Sequence, residues 1–145
     1  MRAFFLLILF AYSNQENKNC LAPVIIQPSG FIDAGRYKNC DNFNEPLTIN
    51  DDVTEIKDEA FYNCNRLPKV TISNRVDEIG DRVFFNCTGL KEVIFESDVL
   101  FKIGFSCFAN CYNLRKLELP DSIKEMWKGS FSNCHNLETI NIPSY

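Results

Sequence analysis

Four segments of this chain align with one another without an internal gap. They are VTEIKDEAFYNCNRLPKVTI from Val53 to Ile72, VDEIGDRVFFNCTGLKEVIF from Val76 to Phe95, LFKIGFSCFANCYNLRKLEL from Leu100 to Leu119, and IKEMWKGSFSNCHNLETINI from Ile123 to Ile142. Their starts lie 23, 24 and 23 residues apart. Each reads Φ-x-x-Φ-x-x-x-s-F-x-N-C-x-x-L-x-x-Φ-x-Φ, with Φ apolar and s mostly small. Four columns never vary: Phe61, Phe84, Phe108 and Phe131; Asn63, Asn86, Asn110 and Asn133; Cys64, Cys87, Cys111 and Cys134; Leu67, Leu90, Leu114 and Leu137.

That spacing restricts the fold. Val70 and Ile72 alternate with Thr71, the period of a strand, and the strand is too short to stand alone. In the middle of the unit Ala60 and Cys64 lie four apart, and Phe61 and Cys64 three apart, which predicts one helical or 3-10 turn with a buried face. A unit of about 23 residues with one strand and one turn cannot bury its apolar face by itself, whereas stacked units bury it between neighbours. The expected product is a solenoid with a parallel sheet along one side. The regular repeats are expected at 53–75, 76–98, 100–122 and 123–145. Tyr37, Asn39, Cys40 and Phe43 match the columns with one extra residue before Leu47 and Ile49, so 32–50 reads as an irregular first coil. Residues 14–31 lack the pattern, are broken by Pro23, Pro28 and Gly30, and read as an N-terminal cap.

Residues 1–13 read as a secretory signal peptide. Arg2 precedes an apolar run from Ala3 to Tyr12, and Ala11 and Ser13 are small residues placed for cleavage before Asn14. The run is shorter than the roughly 20 residues a membrane span needs. A secreted or surface protein is expected, in an oxidising compartment. The remaining composition is that of an ordinary globular chain, 145 residues long with 46% hydrophobic and 23% charged residues. The net charge of −4 opposes a phosphate-backbone binder, so no nucleic-acid partner is expected. Phosphate loops, zinc spacings and nucleophile elbows are not found, so neither an enzyme nor a cofactor is expected.

The run A-F-x-N-C-x-x-L-x-x-Φ-x-Φ-P resembles the BspA-like leucine-rich repeat family over about Ile32 to Pro143. Pro120 and Pro143 supply the trailing proline, and Ser73 and Glu96 replace it in the other two units. The resemblance implies an α/β repeat solenoid, the right-handed superhelix of leucine-rich repeats, with a parallel sheet on one face and short helical or 3-10 turns on the other. It also implies a secreted or surface protein that recognises another protein, an extracellular or host surface protein in host adhesion. Two other readings stay open: a structural or self-assembly module without a host ligand, and a cysteine-rich metal-binding protein.

The columns call first for structural explanations. Parallel thiols on neighbouring rungs fit a disulfide poorly, and cysteine also serves as a small buried hydrophobe. Cys107, beside Cys111, is expected in the core too. Cys20 and Cys40 lie outside the regular stack and are the cysteines best placed for a disulfide. The asparagine column is expected to satisfy backbone groups that a tight turn leaves unpaired. Asn86 also opens the chain's N-x-S/T sequon, but its place in the ladder argues against a glycan there. His135, next to Cys134, should point away from it, so no catalytic pair is expected.

Function is sought on the outward strand positions, Lys69 and Thr71, Glu92 and Ile94, Lys116 and Glu118, Thr139 and Asn141. Lys69, Glu92 and Lys116 alternate in sign across the rungs, and Ile94 is the apolar member of the face. The final rung, with Phe131, Leu137, Ile140 and Ile142, has no successor within the sequence, which leads to an expectation either of self-association through that end or of a longer repeat array to which this sequence belongs.

Overall fold

A computed structural model describes Cys20 and residues 30–141. The expected leader (1–13), most of the expected cap and Ile142 lie outside the described residues.

The described residues wind into five coils, each with one two-residue strand and one longer strand. The longer strands are β2 (Leu47–Ile49), β4 (Lys69–Ile72), β6 (Glu92–Phe95), β8 (Lys116–Glu118) and β10 (Thr139–Asn141). They pair in parallel in the order β10-β8-β6-β4-β2. Leu47, Val70, Val93, Leu117 and Ile140 share one register column, and Val70, Val93 and Leu117 are buried. The short strands are β1 (Phe31–Ile32), β3 (Glu55–Ile56), β5 (Glu78–Ile79), β7 (Lys102–Ile103) and β9 (Glu125–Met126). They form a second parallel sheet in the order β1-β3-β5-β7-β9. One apolar residue per strand, such as Ile56, Ile79 and Ile103, points to the core.

The second sheet was not anticipated. The expected helical or 3-10 turn also takes another form, a chain of separate turns. In the second coil Ala60, Tyr62 and Cys64 donate their N–H groups to Lys57, Glu59 and Phe61, three residues back. The intervening Glu59, Phe61 and Asn63 donate instead to Asp81, Val83 and Phe85 of the next coil. This split follows from the backbone. Gly35, Glu59, Arg82, Ser106 and Gly129 have positive φ, and so do Asn39, Asn63, Asn86, Asn110 and Asn133, four residues later. A left-handed residue every four positions interrupts a right-handed helix and turns alternate N–H groups along the solenoid axis. Asparagine is among the few non-glycine residues that adopt this conformation readily.

The core is a file of rings between the walls. Tyr37, Phe61, Phe84, Phe108 and Phe131 stack with centroids 5.2, 5.3, 5.3 and 5.6 Å apart. Their planes lie within 15° of one another. Rungs about 4.8 Å apart produce this separation with a small offset, the favoured geometry for aromatic pairs. The leucine column and the strand residues Val70 and Ile72 are likewise buried, Leu137 of the last coil only partly. The coils approach so closely that a Cβ on Gly104 would lie 2.4 Å from the carbonyl carbon of Gly80.

Phe84→Ala and Phe108→Ala are each expected to cost about 3–5 kcal/mol, the usual penalty for emptying a buried phenylalanine site. Chemical denaturation of the two variants checks this, and near-native stability in both would contradict a core made of stacked rings.

Candidate functional site

The outward residues of the long sheet form two parallel columns. Lys69, Glu92, Lys116 and Thr139 occupy one, by register. Lys69 Nζ lies 2.9 Å from a Glu92 carboxylate oxygen, and Lys116 Nζ lies 3.7 Å from Glu118 on its own strand. Both pairs are substantially exposed, so each is worth at most about 1 kcal/mol. Thr71, Ile94, Glu118 and Asn141 follow two residues later. Thr71 and Ile94 are half-buried, whereas Glu118 and Thr139 are exposed. Asn141 serves the backbone: its Nδ2 donates to the Leu119 carbonyl (3.0 Å) and its Oδ1 accepts from the Leu119 N–H (2.7 Å). A depression of about 210 Å³ opens on this face, lined by Glu92, Val93, Ile94, Phe95, Lys116 and Glu118.

The asparagine ladder differs from the expectation. The amides bond to one another rather than to turn backbone. Nδ2 of Asn63 donates to Oδ1 of Asn39, Asn86 to Asn63, and Asn133 to Asn110, at 2.8–3.0 Å. Their backbones meanwhile hold the left-handed conformation. Asn86, the sequon residue, is a half-buried member of this ladder.

The cysteine column does more than fill space. Sγ of Cys64, Cys87, Cys111 and Cys134 lies 3.1–3.2 Å from the carbonyl of Tyr37, Phe61, Phe84 and Phe108 in the preceding coil. The Phe61 carbonyl thus accepts from both the Cys64 N–H and the Cys87 thiol. A thiol is a weak donor small enough for this apolar corner. Burial pushes the thiols of Cys87, Cys107 and Cys111 well above their ordinary pKa, and the half-buried Cys134 up to about 11. Cys20 is joined to Cys40 in a disulfide. His135 is exposed and stacks on Tyr112 of the preceding coil, with centroids 5.7 Å apart. Among the described residues, no three His, Cys, Asp or Glu side chains are grouped to hold a metal ion.

The second face, over the short sheet, carries side chains that the sequence reading did not single out. Glu55, Glu78, Lys102 and Glu125 form its register column, and Lys102 binds Glu78. The hydrogen bond from Lys102 to Glu78 raises the lysine pKa. At the turn wall Glu59 joins Lys38 and Arg82 of the flanking coils. The Lys38 hydrogen bond is the main cause of a lowered Glu59 pKa.

Residues 30–145 match the BspA type leucine rich repeat region in six copies, and the chain belongs to that family. No curated protein sequence matches it. Among solved structures it is similar to a leucine rich cell surface protein from Faecalibacterium prausnitzii, at 31% identity and a TM-score of 0.64, over 67% of this chain and 25% of that one. It is also similar to a leucine-rich repeat protein from Bacteroides ovatus, at 27% identity and a TM-score of 0.56, over 68% of this chain and 31% of that one. A third, from Bacteroides capillosus, gives 28% identity and a TM-score of 0.57, over 66% and 74%. The chain therefore spans about a quarter to a third of the length of the first two structures. Among the described residues, no helix is long and apolar enough to cross a membrane.

Two outcomes test the ladders. With iodoacetamide at pH 8, Cys134 should react first and Cys87, Cys107 and Cys111 only after denaturation, because burial withholds the thiolate; peptide mass spectrometry reads the order. Asn86→Ala should destabilise more than Asn86→Gly, by about 1 kcal/mol, since glycine keeps the left-handed backbone at no steric cost. Equal melting temperatures for the two variants would contradict the backbone role.

Proposed function

We propose that this chain is a secreted or surface-displayed recognition protein. It binds an extracellular or host surface protein through the outer face of its long sheet, in host adhesion. The observation that carries this reading is the open five-stranded face, whose outward residues Lys69, Thr71, Glu92, Ile94, Lys116, Glu118 and Thr139 are not used to build the core. A half-exposed apolar residue, Ile94, among paired charges suits a protein contact, with a central anchor and a polar surround. The description of the Faecalibacterium relative as a cell surface protein supports the location. So does the reading of residues 1–13 as a signal peptide, with a cap over 14–31 and the solenoid over 32–145.

The purified chain, screened against immobilised extracellular matrix and host surface proteins, should capture a partner. Ile94→Arg should weaken that capture at least tenfold, while Glu55→Arg on the opposite sheet leaves it within twofold. Capture that ignores Ile94→Arg would move the site off this face. N-terminal sequencing of the secreted protein should begin at Asn14.

A further inference from the structure

The short sheet carries a second outward column beside that of Glu55, Glu78, Lys102 and Glu125. Lys57, Gly80, Gly104 and Trp127 each follow a short strand and donate their N–H groups to Ile32, Ile56, Ile79 and Ile103 of the preceding coil. They continue the strand register, two residues beyond the charged column and on the same face. The column is filled at its ends and bare in the middle. Side chains are excluded there: a Cβ on Gly80 would lie 2.4 Å from Asp58 Oδ1, and one on Gly104 would lie 2.4 Å from the Gly80 carbonyl carbon.

The bare stretch is a groove of about 400 Å³ with Gly80 in its floor. That volume falls within the roughly 300–1,000 Å³ of small-ligand sites. Trp127 closes one end. It lines the groove although two coils separate it from Gly80, so its indole reaches across the Gly104 rung. The ring is nevertheless 52% exposed, and Glu125 accepts its N–H at 3.4 Å, so carbon surface is what it offers to the groove.

The polar walls hold both donors and acceptors. Asp58 Oδ1 accepts the Asp81 N–H, and Asp81 Oδ1 accepts the Phe105 N–H, both at 2.8 Å. These bonds fix the two carboxylates and leave the second oxygen of each without a hydrogen bond among the described residues. Lys57 Nζ lies 3.4 Å from the Phe31 ring centroid and makes no salt bridge among the described residues.

This lining selects against charge of either sign. Four carboxylates, Glu55, Asp58, Glu78 and Asp81, outnumber Lys57 and Lys102 and repel an anion. A cation gains little, because Lys102 already lies 5.7 Å from the Trp127 ring centroid and binds Glu78. A hydroxyl, by contrast, both donates and accepts. The C–H face of a sugar ring also packs on the electron-rich face of an indole.

We propose that this groove binds a short neutral oligosaccharide. One pyranose ring lies on Trp127. The hydroxyls of the next ring, over the bare Gly80 floor, donate to Asp58 and Asp81 and accept from Lys57. The site is separate from the long-sheet face and stands or falls independently of it.

Trp127 is the chain's single tryptophan, so its emission reports this site alone. The purified chain is titrated with the trisaccharides of N-acetylglucosamine, glucose and mannose, and with trigalacturonate and trilysine as charged counterparts. At least one neutral trisaccharide should shift the emission to saturation, and the two charged compounds should not. By calorimetry, Trp127→Ala should weaken that binding at least tenfold, and Trp127→Phe, which keeps an aromatic face, only a few-fold. Asp81→Asn retains an acceptor for the Phe105 N–H, so it should keep the melting temperature while weakening binding several-fold. Ile94→Arg on the long sheet should leave it within twofold. Absence of a saturable change with all three neutral trisaccharides at millimolar concentration overturns the proposal. So does binding of a charged compound alone, or sugar binding that survives Trp127→Ala.

Discussion

Stacking at the spacing of adjacent β-strands governs everything else in this molecule. Once the coils rise by about 4.8 Å each, a side chain meets its own counterpart above and below, and little else. Phenylalanine answers that constraint by offset stacking, asparagine by amide-to-amide hydrogen bonds, and cysteine by donating to a carbonyl one rung back. Glycine answers it where backbones nearly touch, as Gly80 and Gly104 do. Charges stacked on their own kind repel, and two rows alternate in sign, Lys38, Glu59 and Arg82, and Lys69, Glu92 and Lys116, although Glu55 and Glu78 are neighbours on the short sheet. Repetition in the sequence is thus the chemical consequence of repetition in the fold.

The features of the fold legible from sequence were those in which one environment recurs. The phenylalanine and leucine columns announced a stacked core, and the alternation of Val70, Thr71 and Ile72 announced the long sheet. The second sheet was not legible because its strands are two residues long. Glu55–Ile56 and Lys102–Ile103 offer one polar and one apolar residue, too few to show a period of two. The turn wall reads from sequence as one helical or 3-10 turn; it keeps three-residue hydrogen bonds but as separate turns, and the sequence did not show that for a related reason. Apolar positions three and four apart fit a helix, but they also fit a chain of turns broken by left-handed residues. Asn63 and its counterparts mark one of the two left-handed positions, whereas the other holds glycine, glutamate, arginine and serine and carries no common signal.

The asparagines show how a correct structural instinct can miss the partner. A ladder follows from the column alone. Whether each amide bonds to turn backbone or to the next amide depends on where a left-handed residue aims its side chain, which spacing does not report. The same holds for Asn141. Its alternation places it on the outer face, yet its amide folds back to act as an extra peptide group for Leu119.

A perfectly regular solenoid presents rows rather than sites, because every rung offers the same side chain in the same place. A unique site needs a departure from the repeat. On the long sheet the 24-residue spacing and the half-buried Phe95 are two such departures. Each alone is a small irregularity that a solenoid absorbs. Beside them, the β6–β8 ladder is two register pairs shorter than the β4–β6 ladder. The spacing of 24 was visible in the sequence from the start. Its consequence was not, because spacing alone does not say where along the loop an extra residue is taken up. Pro120 accounts for the shorter ladder, since the adjacent strands stay together but the Phe95 carbonyl meets no N–H at that position.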